Sequence, residues 1–309
     1  MLKHLVDIER LNKEEILSIV NMAKSFKTSS LKSSVSEKTV AMMFCENSTR
    51  TKCSFEVAAQ KLGMKVINFE TANSSISKGE SLRDTIENLY FIGVDAVVIR
   101  HCYSGIVDNT ISQVKYPITF VNAGDGNHAH PTQALLDFYT MLEKVGDIKG
   151  KKIAIIGDVK HSRVARSNIA LLSKFDADIN VCTPSFFKPE DHKRYPVKCH
   201  SNVIDAIKDA EVVMVLRVQN ERHSGNLYPD AYEYKRQYEI STDILKTYAS
   251  PEVVLMHPGP ANRNIEISSE LLDNKVGETI LEQAKNGVYV RMAVLNTLLA
   301  TKKEEYCAS

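Results

Sequence analysis

The sequence predicts an α/β protein of two similar-sized domains, each a parallel four-stranded (or slightly larger) sheet with flanking helices. Three observations carry that prediction. Short apolar, β-branched-rich runs such as Thr39-Val40-Ala41-Met42-Met43-Phe44 alternate with stretches of helical periodicity. That is the pattern of strands buried on both faces and joined by right-handed helical crossovers. A break at Gly146 to Gly150 divides the chain, with four such runs before it and four after. The residues just past the runs are polar and cationic, and ligands of open α/β sheets sit beyond the carboxyl ends of the strands.

The chain's 309 residues fit two domains by the ordinary size prior. Composition is that of a globular protein, 43% hydrophobic and 25% charged. A net charge of +1 gives no bulk electrostatic case for nucleic acid or an anionic membrane. No run approaches the ~20 apolar residues that span a bilayer. Asp7 and Glu9 come too early for a signal peptide, and no apolar stretch follows them, so the expected compartment is the cytoplasm. Cys45, Cys53, Cys102, Cys182, Cys199 and Cys307 are scattered with no C-x-x-C pair. They indicate neither a disulfide framework nor a zinc site, and no metal is expected.

Taken in order, residues 12–27 form an amphipathic helix with Ile16, Ile19, Val20 and Ala23 on one face and Asn12 as its N-cap. The Ser/Lys-rich stretch 28–38 is a loop. The first strand, 39–44, leads through a polar turn to a helix whose Phe55, Ala58, Ala59 and Leu62 share a face. A second strand, 65–69, precedes a Ser-rich loop, 70–81, that carries Lys78 and Gly79. The helix 81–91 turns Leu82, Ile86, Leu89 and Tyr90 inward. The third strand, 95–99, ends on Arg100-His101, and the fourth, 117–121, on a turn-rich segment reaching His130 and Gln133. A long helix runs from Thr132 to about Val145. Beyond the break come strands 152–156, 178–182, 211–216 and 253–256. A final helix, 287–300, has no strand after it and is expected to pack back on the first domain.

The turn after the first strand is the densest in chemistry. Ser48, Thr49, Arg50 and Thr51 meet a helix start, where unpaired N–H groups and a partial positive charge favour an anion. The same residues are also consistent with an ordinary N-cap. The other strand ends add Arg100/His101, His130/Gln133, Arg163, Arg217/Gln219 and His257 with Pro258-Gly259-Pro260. Singly, an arginine after a strand is ordinarily solvated and a histidine ordinarily structural. Together, with almost no carboxylate among them, they point to a substrate bearing several negative charges.

Ser48-Thr49-Arg50-Thr51 resembles the carbamoyl-phosphate signature of the carbamoyltransferases. His130-Pro131-Thr132-Gln133 matches a second motif of that family, and Arg217-Val218-Gln219-x-Glu221-Arg222 a third. His257-Pro258-Gly259-Pro260-Ala261-Asn262-Arg263 is similar to the aspartate branch; the ornithine branch would show a cysteine where Pro258 stands. The motifs occur in order across nearly the whole chain, which is identified as resembling the catalytic chains of that branch, in pyrimidine biosynthesis.

The resemblance implies a domain binding carbamoyl phosphate over 1–145, with 287–309 returning to it, and an aspartate-binding domain over 150–286. It implies that Ser48, Thr49, Arg50 and Thr51 hold the phosphate. Arg100, His130 and Thr51 would donate to the carbamoyl oxygen, where charge builds as the carbon becomes tetrahedral. Gln133 and the backbone carbonyls at Pro258 and Gly259 would receive the carbamoyl NH₂. Arg163 and Arg217, helped by Gln219, would clamp the carboxylates of aspartate, which the planar guanidinium pairs bidentately. Catalytic roles fall on Arg50, Thr51, Lys78, Arg100 and His130. No cofactor, metal or side-chain nucleophile is called for, since orientation supplies much of the acceleration.

In the family the Ser/Lys loop comes from a neighbouring subunit, which implies a homotrimer with shared active sites. Lys78 matches the loop lysine, and Ser75 is favoured over Ser74 as its partnering serine. The sequence departs in having one lysine after Ser77, a loop one residue shorter than in some members, and Gly259 where some have leucine. The resemblance leaves room for a regulatory chain or a pathway-enzyme partner. The rival readings are ornithine carbamoylation, a non-catalytic homologue, and a nucleotide-dependent oxidoreductase. The last fails because Gly157-Asp158-Val159-Lys160 carries no G-x-G-x-x-G.

Overall fold

A computed structural model describes residues 2–29, 31–69, 79–184, 195–218 and 231–300. The chain divides into two compact units, one of Met1–Asp7, Glu14–Thr132 and Gly287–Ser309, the other of Ile8–Lys13 and Gln133–Asn286.

In the first unit, α1 (Lys13–Lys27) buries Ile16, Ile19, Val20, Ala23 and Phe26, the face its spacing predicts. There follow β1 (Thr39–Phe44), α2 (Thr49–Lys61), β2 (Lys65–Phe69), α3 (Leu82–Phe91), β3 (Ala96–His101), α4 (Ile106–Gln113) and β4 (Thr119–Asp125). The sheet order is β2-β1-β3-β4, with every pair parallel. Val40 to Met43 and Ala96 to Ile99 are fully buried, which is why these strands read as continuous apolar runs. Ile86, Leu89 and Val107 of α3 and α4 close over Ala41, Met43, Val97 and Ile99. Thr85 is buried beside Ile86 and Leu89, while Leu82 and Tyr90 are only partly covered. The N-terminal segment protects β4: Leu5 N–H donates to Phe120 O at 2.9 Å, and Asn122 N–H to Leu5 O at 2.8 Å.

The second unit takes most of α5 (Pro131–Val145), then β5 (Lys152–Ile156), α6 (Arg163–Lys174), β6 (Asp178–Cys182), β7 (Val197–His200), α7 (Val203–Ile207) and β8 (Val212–Val215). After these come α8 (Ala231–Tyr238), α9 (Thr242–Tyr248), β9 (Val254–Met256), α10 (Ser269–Asp273) and the start of α11 (Glu278–Leu299). Its parallel sheet has the order β7-β6-β5-β8-β9. One core gathers Ala154, Ile156, Val213, Val215 and Leu255 from the strands with Ala206, Tyr234 and Leu271 from the helices. No described helix is long and apolar enough to cross a membrane.

Four features differ from the sequence expectation. The fifth strand, β7, is a four-residue edge with two exposed positions, too short and too polar to stand out. Helix α4 is eight residues long and buries only Val107 and Thr110 completely. Strand β4 continues to Asp125 instead of stopping at 121, because the polar side chains that look like a turn are satisfied inside. Asn122 Nδ2 donates to Val6 O and to Asp125 Oδ1, each at 2.8 Å. Finally, α11 begins at Glu278, not at 287, so Gly287 lies inside the helix. A glycine there costs about 1 kcal/mol against alanine, which the surrounding helix tolerates.

Candidate active site

In the first sheet β1 connects outward to β2, and the chain then crosses back to β3 on the other side of β1. The switch point therefore lies between β1 and β3, where an open α/β sheet leaves a crevice. The turn into α2 and the end of β3 flank it. Phe44 is in register with Arg100, and Cys45 N–H donates to Arg100 O at 2.8 Å.

Ser48 occupies the N-cap of α2 with an extended backbone (φ −161, ψ 90), yet its hydroxyl makes no capping bond. Ser81, Ser162, Ser241 and Ser268 do cap α3, α6, α9 and α10 through their side chains. The first turn of α2 holds no acidic residue to offset the positive end of the helix. Thr51 is buried, and Thr49 and Arg50 are exposed.

Arg100 is braced from the turn after β1 and from β4. Its Nη1 donates to Ala123 O at 3.3 Å, and its Nη2 to Glu46 Oε1 at 3.4 Å. Burial pushes His101 below its ordinary pKa, with Glu46 and Asp125 pulling the other way. Its Nδ1 accepts Tyr103 N–H at 3.1 Å.

His130 is buried at the end of a tightly built turn. The fully buried Asp125 carboxylate accepts Gly105 N–H at 2.7 Å, Asn122 Nδ2 at 2.8 Å and Ala129 N–H at 3.1 Å. His128 Nδ1 lies 3.0 Å from its Oδ2. Gly126 is required here: its φ is +45, and a Cβ would lie 2.3 Å from Ser104 Oγ and 2.5 Å from Ser104 N. This turn delivers His130 to the start of α5.

The second sheet has its own switch point, between β5 and β8. Arg163, the first residue of α6, follows β5, and Arg217 lies just past β8, so the two predicted carboxylate binders flank that crevice. Arg163 is buried and Arg217 partly so. Ser162 Oγ caps α6 from Ala165 N–H at 3.1 Å. Asp158 accepts His161 N–H at 3.1 Å and lies 3.0 Å from its Nδ1, closing the loop that presents Arg163.

The segment after β8 is tied to the segment after β9 by one carboxylate. Glu266, fully buried, accepts Val218 N–H at 2.8 Å, Asn262 N–H at 2.6 Å and Asn262 Nδ2 at 2.8 Å. Burial raises its pKa, and the Val218 and Asn262 bonds oppose that rise. In the turn after β9, Gly259 N–H donates to His257 Nδ1 at 2.8 Å, and the Gly259-Pro260 bond is cis. Gly259 has φ +68, a left-handed conformation that suits glycine. Gln133 is also buried, with its Nε2 donating to Asp137 Oδ1 at 2.9 Å.

The structure therefore gathers Ser48 to Thr51 and Arg100 at one switch point, and Arg163 and Arg217 at another. Ser75, Lys78 and Gln219 lie outside the described residues. Glu46, Asp125, Asp137 and Glu266 support the site but carry no cation past a strand end to mark them in the sequence. Glu46 and Asp125 precede the motifs that begin at Ser48 and His130, and Asp137 and Glu266 follow those that contain Gln133 and Asn262. Asp137 falls four residues after Gln133, one turn further along α5, and Glu266 falls four after Asn262 in the turn-rich segment before α10.

Residues 3–143 match the family domain described as aspartate/ornithine carbamoyltransferase, carbamoyl-P binding domain, and residues 149–298 the one described as Asp/Orn binding domain. A curated aspartate carbamoyltransferase catalytic subunit from Flavobacterium psychrophilum is 45% identical, over 97% of this chain and 97% of the relative. The one from Campylobacter lari is 42% identical, over 96% of this chain and 99% of its own. Among solved structures, aspartate transcarbamoylase from Trypanosoma cruzi in complex with carbamoyl phosphate and aspartate superposes with a TM-score of 0.83 at 26% identity, over 96% of each chain. Ornithine carbamoyltransferase from Pyrococcus furiosus gives 0.84 at 27% identity, over 96% of this chain and 97% of that one.

Proposed function

The chain belongs to the aspartate/ornithine carbamoyltransferase family, and from that premise we infer that it transfers the carbamoyl group of carbamoyl phosphate to the α-amino group of L-aspartate. The products are N-carbamoyl-L-aspartate and phosphate. The observation that carries the choice of aspartate is the pair Arg163 and Arg217 at the switch point of the second sheet. Two guanidinium groups suit an acceptor with two carboxylates and oppose one with a cationic side chain. Full-length relatives named for aspartate support the same choice, although fold alone does not separate the branches.

The chemistry follows from the residues. Ser48, Thr49, Arg50, Thr51 and the amide end of α2 seat the phosphate. Arg100, His130 and Thr51 donate to the carbamoyl oxygen as the amine attacks and negative charge collects there. Gln133 and the carbonyls at Pro258 and Gly259 receive the carbamoyl NH₂. Arg163, Arg217 and Gln219 hold the aspartate carboxylates. The carbon–oxygen bond to phosphate then breaks, and the departing phosphate takes the proton released by the amine, so no side-chain base is assigned.

The reading extends to a cytoplasmic homotrimer of pyrimidine biosynthesis. In it Ser75 and Lys78 of one subunit complete the phosphate seat of the next. Residues 1–145 with 287–309 serve carbamoyl phosphate, and 150–286 serve aspartate.

The test is carbamoyl transfer by the purified protein from carbamoyl phosphate, with L-aspartate and L-ornithine in parallel. Product from aspartate alone is expected. Product from ornithine alone would overturn the roles of Arg163 and Arg217. Product from neither, with carbamoyl phosphate still bound, would favour the non-catalytic homologue.

A further inference from the structure

Behind Gln133 lies a buried polar frame centred on Asp137, which is 0% exposed. Gln133 and Asp137 are four residues apart on α5, and Gln133 Nε2 donates to Asp137 Oδ1 at 2.9 Å. Gln283, on α11, donates its Nε2 to the same oxygen at 2.9 Å. Asn168, on α6, donates its Nδ2 to Oδ2 at 2.8 Å. Gln283 uses its other end as well: its Oε1 accepts His257 N–H at 2.9 Å. One carboxylate thus connects the Gln133 side chain to the backbone of the turn that carries Pro258 and Gly259.

The donor and acceptor inventory fixes the direction of every amide in this frame. All three amides present NH₂ to the Asp137 carboxylate oxygens, which accept from each of them. Gln133 is thereby held with its Oε1 turned away from Asp137. Gln283 must likewise point its oxygen at His257 N–H. A carbamoyl NH₂ is a donor with two hydrogens and needs acceptors. The frame supplies one side-chain oxygen and holds the peptide next to the turn's carbonyls.

We propose that Asp137 is a positioning residue for the carbamoyl amino group: it locks the Gln133 amide with its oxygen outward and, through Gln283, holds the His257 peptide in register with it. The proposal rests on the carbamoyl-transfer reading above. It makes Asp137 responsible for telling NH₂ from a group of similar size that cannot donate. A buried acceptor facing such a group goes unpaired, which is how hydrogen-bonding sites reject isosteres.

The probes are carbamoyl phosphate, acetyl phosphate, which carries CH₃ in place of NH₂, and inorganic phosphate. Their binding is measured by calorimetry on the full-length wild type and on Asp137→Leu, which removes both acceptor oxygens. Carbamoyl phosphate is expected to weaken about tenfold. Acetyl phosphate and phosphate are expected to change less than about twofold, so the preference for carbamoyl over acetyl falls. Adding Asp137→Leu to a Gln133→Ala chain should cost much less than it does in the wild type, because the amide it orients is gone. Equal weakening of all three probes, or no weakening of carbamoyl phosphate, would overturn the proposal. If Asp137→Leu does not fold, Gln283→Met cuts the second arm of the frame and must give the same selective loss, about threefold; an unselective or absent loss there would overturn the proposal equally. A wild type that does not bind carbamoyl phosphate at all would instead overturn the carbamoyl-transfer reading.

Discussion

Glu46 holds Arg100: its Oε1 lies 3.4 Å from the guanidinium Nη2, while Ala123 O takes Nη1 at 3.3 Å. The planar fork is braced by the residue that leads out of β1 and by a carbonyl of β4. Lysine would keep the charge but could not fill both positions. Arg100→Lys is therefore expected to lower kcat about a hundredfold, the scale of losing one preorganised oxyanion donor. Inhibition by inorganic phosphate should stay close to wild type. Steady-state kinetics with both ligands checks this, and a kcat near wild type would remove Arg100 from the oxygen-binding set.

His130 is fixed by the turn that Asp125 organises. As a donor to the carbamoyl oxygen it acts mainly in the transition state. His130→Ala should lower kcat at least tenfold, with a smaller change in KM for aspartate. A kcat within about twofold of wild type would show that the oxygen is polarised without it.

The phosphate seat on α2 and Lys78 are proposed to meet across a subunit boundary. Arg50→Ala and Lys78→Ala chains should each be inactive as pure oligomers. Mixed after subunit exchange, they should regain partial activity, because some sites then carry both intact residues. Native mass spectrometry confirms the exchange. Hybrids without activity would argue that each chain builds its own site.

Burial, with neighbouring Cys102 adding to it, pushes the Cys45 thiol from 9.0 up to about 11. Burial also pushes Cys182 up to about 12. The thiolate is the reactive form. At pH 8 iodoacetamide should alkylate exposed Cys53 well before Cys45, as followed by intact mass and peptide mapping. The linkage sign is also fixed. Between 9 and about 11 the unfolded chain releases the Cys45 proton while the folded chain keeps it. Stability should therefore fall as pH rises through that window, and Cys45→Ala should flatten the fall. Alkylation of Cys45 as fast as Cys53 would show the thiol to be open to solvent.

Parts of this fold are legible residue by residue. The runs 39–44 and 152–156 declare buried parallel strands because they must be apolar on both faces. Ile16, Ile19, Val20 and Ala23 declare α1 by spacing alone. Short β7 is hidden in the sequence because two of its four residues face solvent. The tail of β4 is hidden because Asn122 and Asp125 look like turn residues until their partners, Val6 O and Gly105 N–H, are seen. The cationic residues of the candidate site are visible as side chains following strand ends. Their carboxylate supports are not, since an isolated Asp or Glu in a sequence reads as solvated.

The sequence by itself determined the alternation of strands and helices, the parallel sheets and the motifs that align the chain with its family. These features are local, because periodicity and turn chemistry are set by neighbours along the chain. Only the tertiary structure decided the strand orders, and with them that Arg100 and α2 share one switch point and Arg163 and Arg217 another. It alone decided which carboxylate holds which site residue. The partners lie 54 residues apart for Arg100 and Glu46, 48 for Val218 and Glu266, and 146 for Gln283 and Asp137. A buried charge must find its hydrogen bonds wherever packing brings the donors, and no rule of sequence spacing fixes that choice.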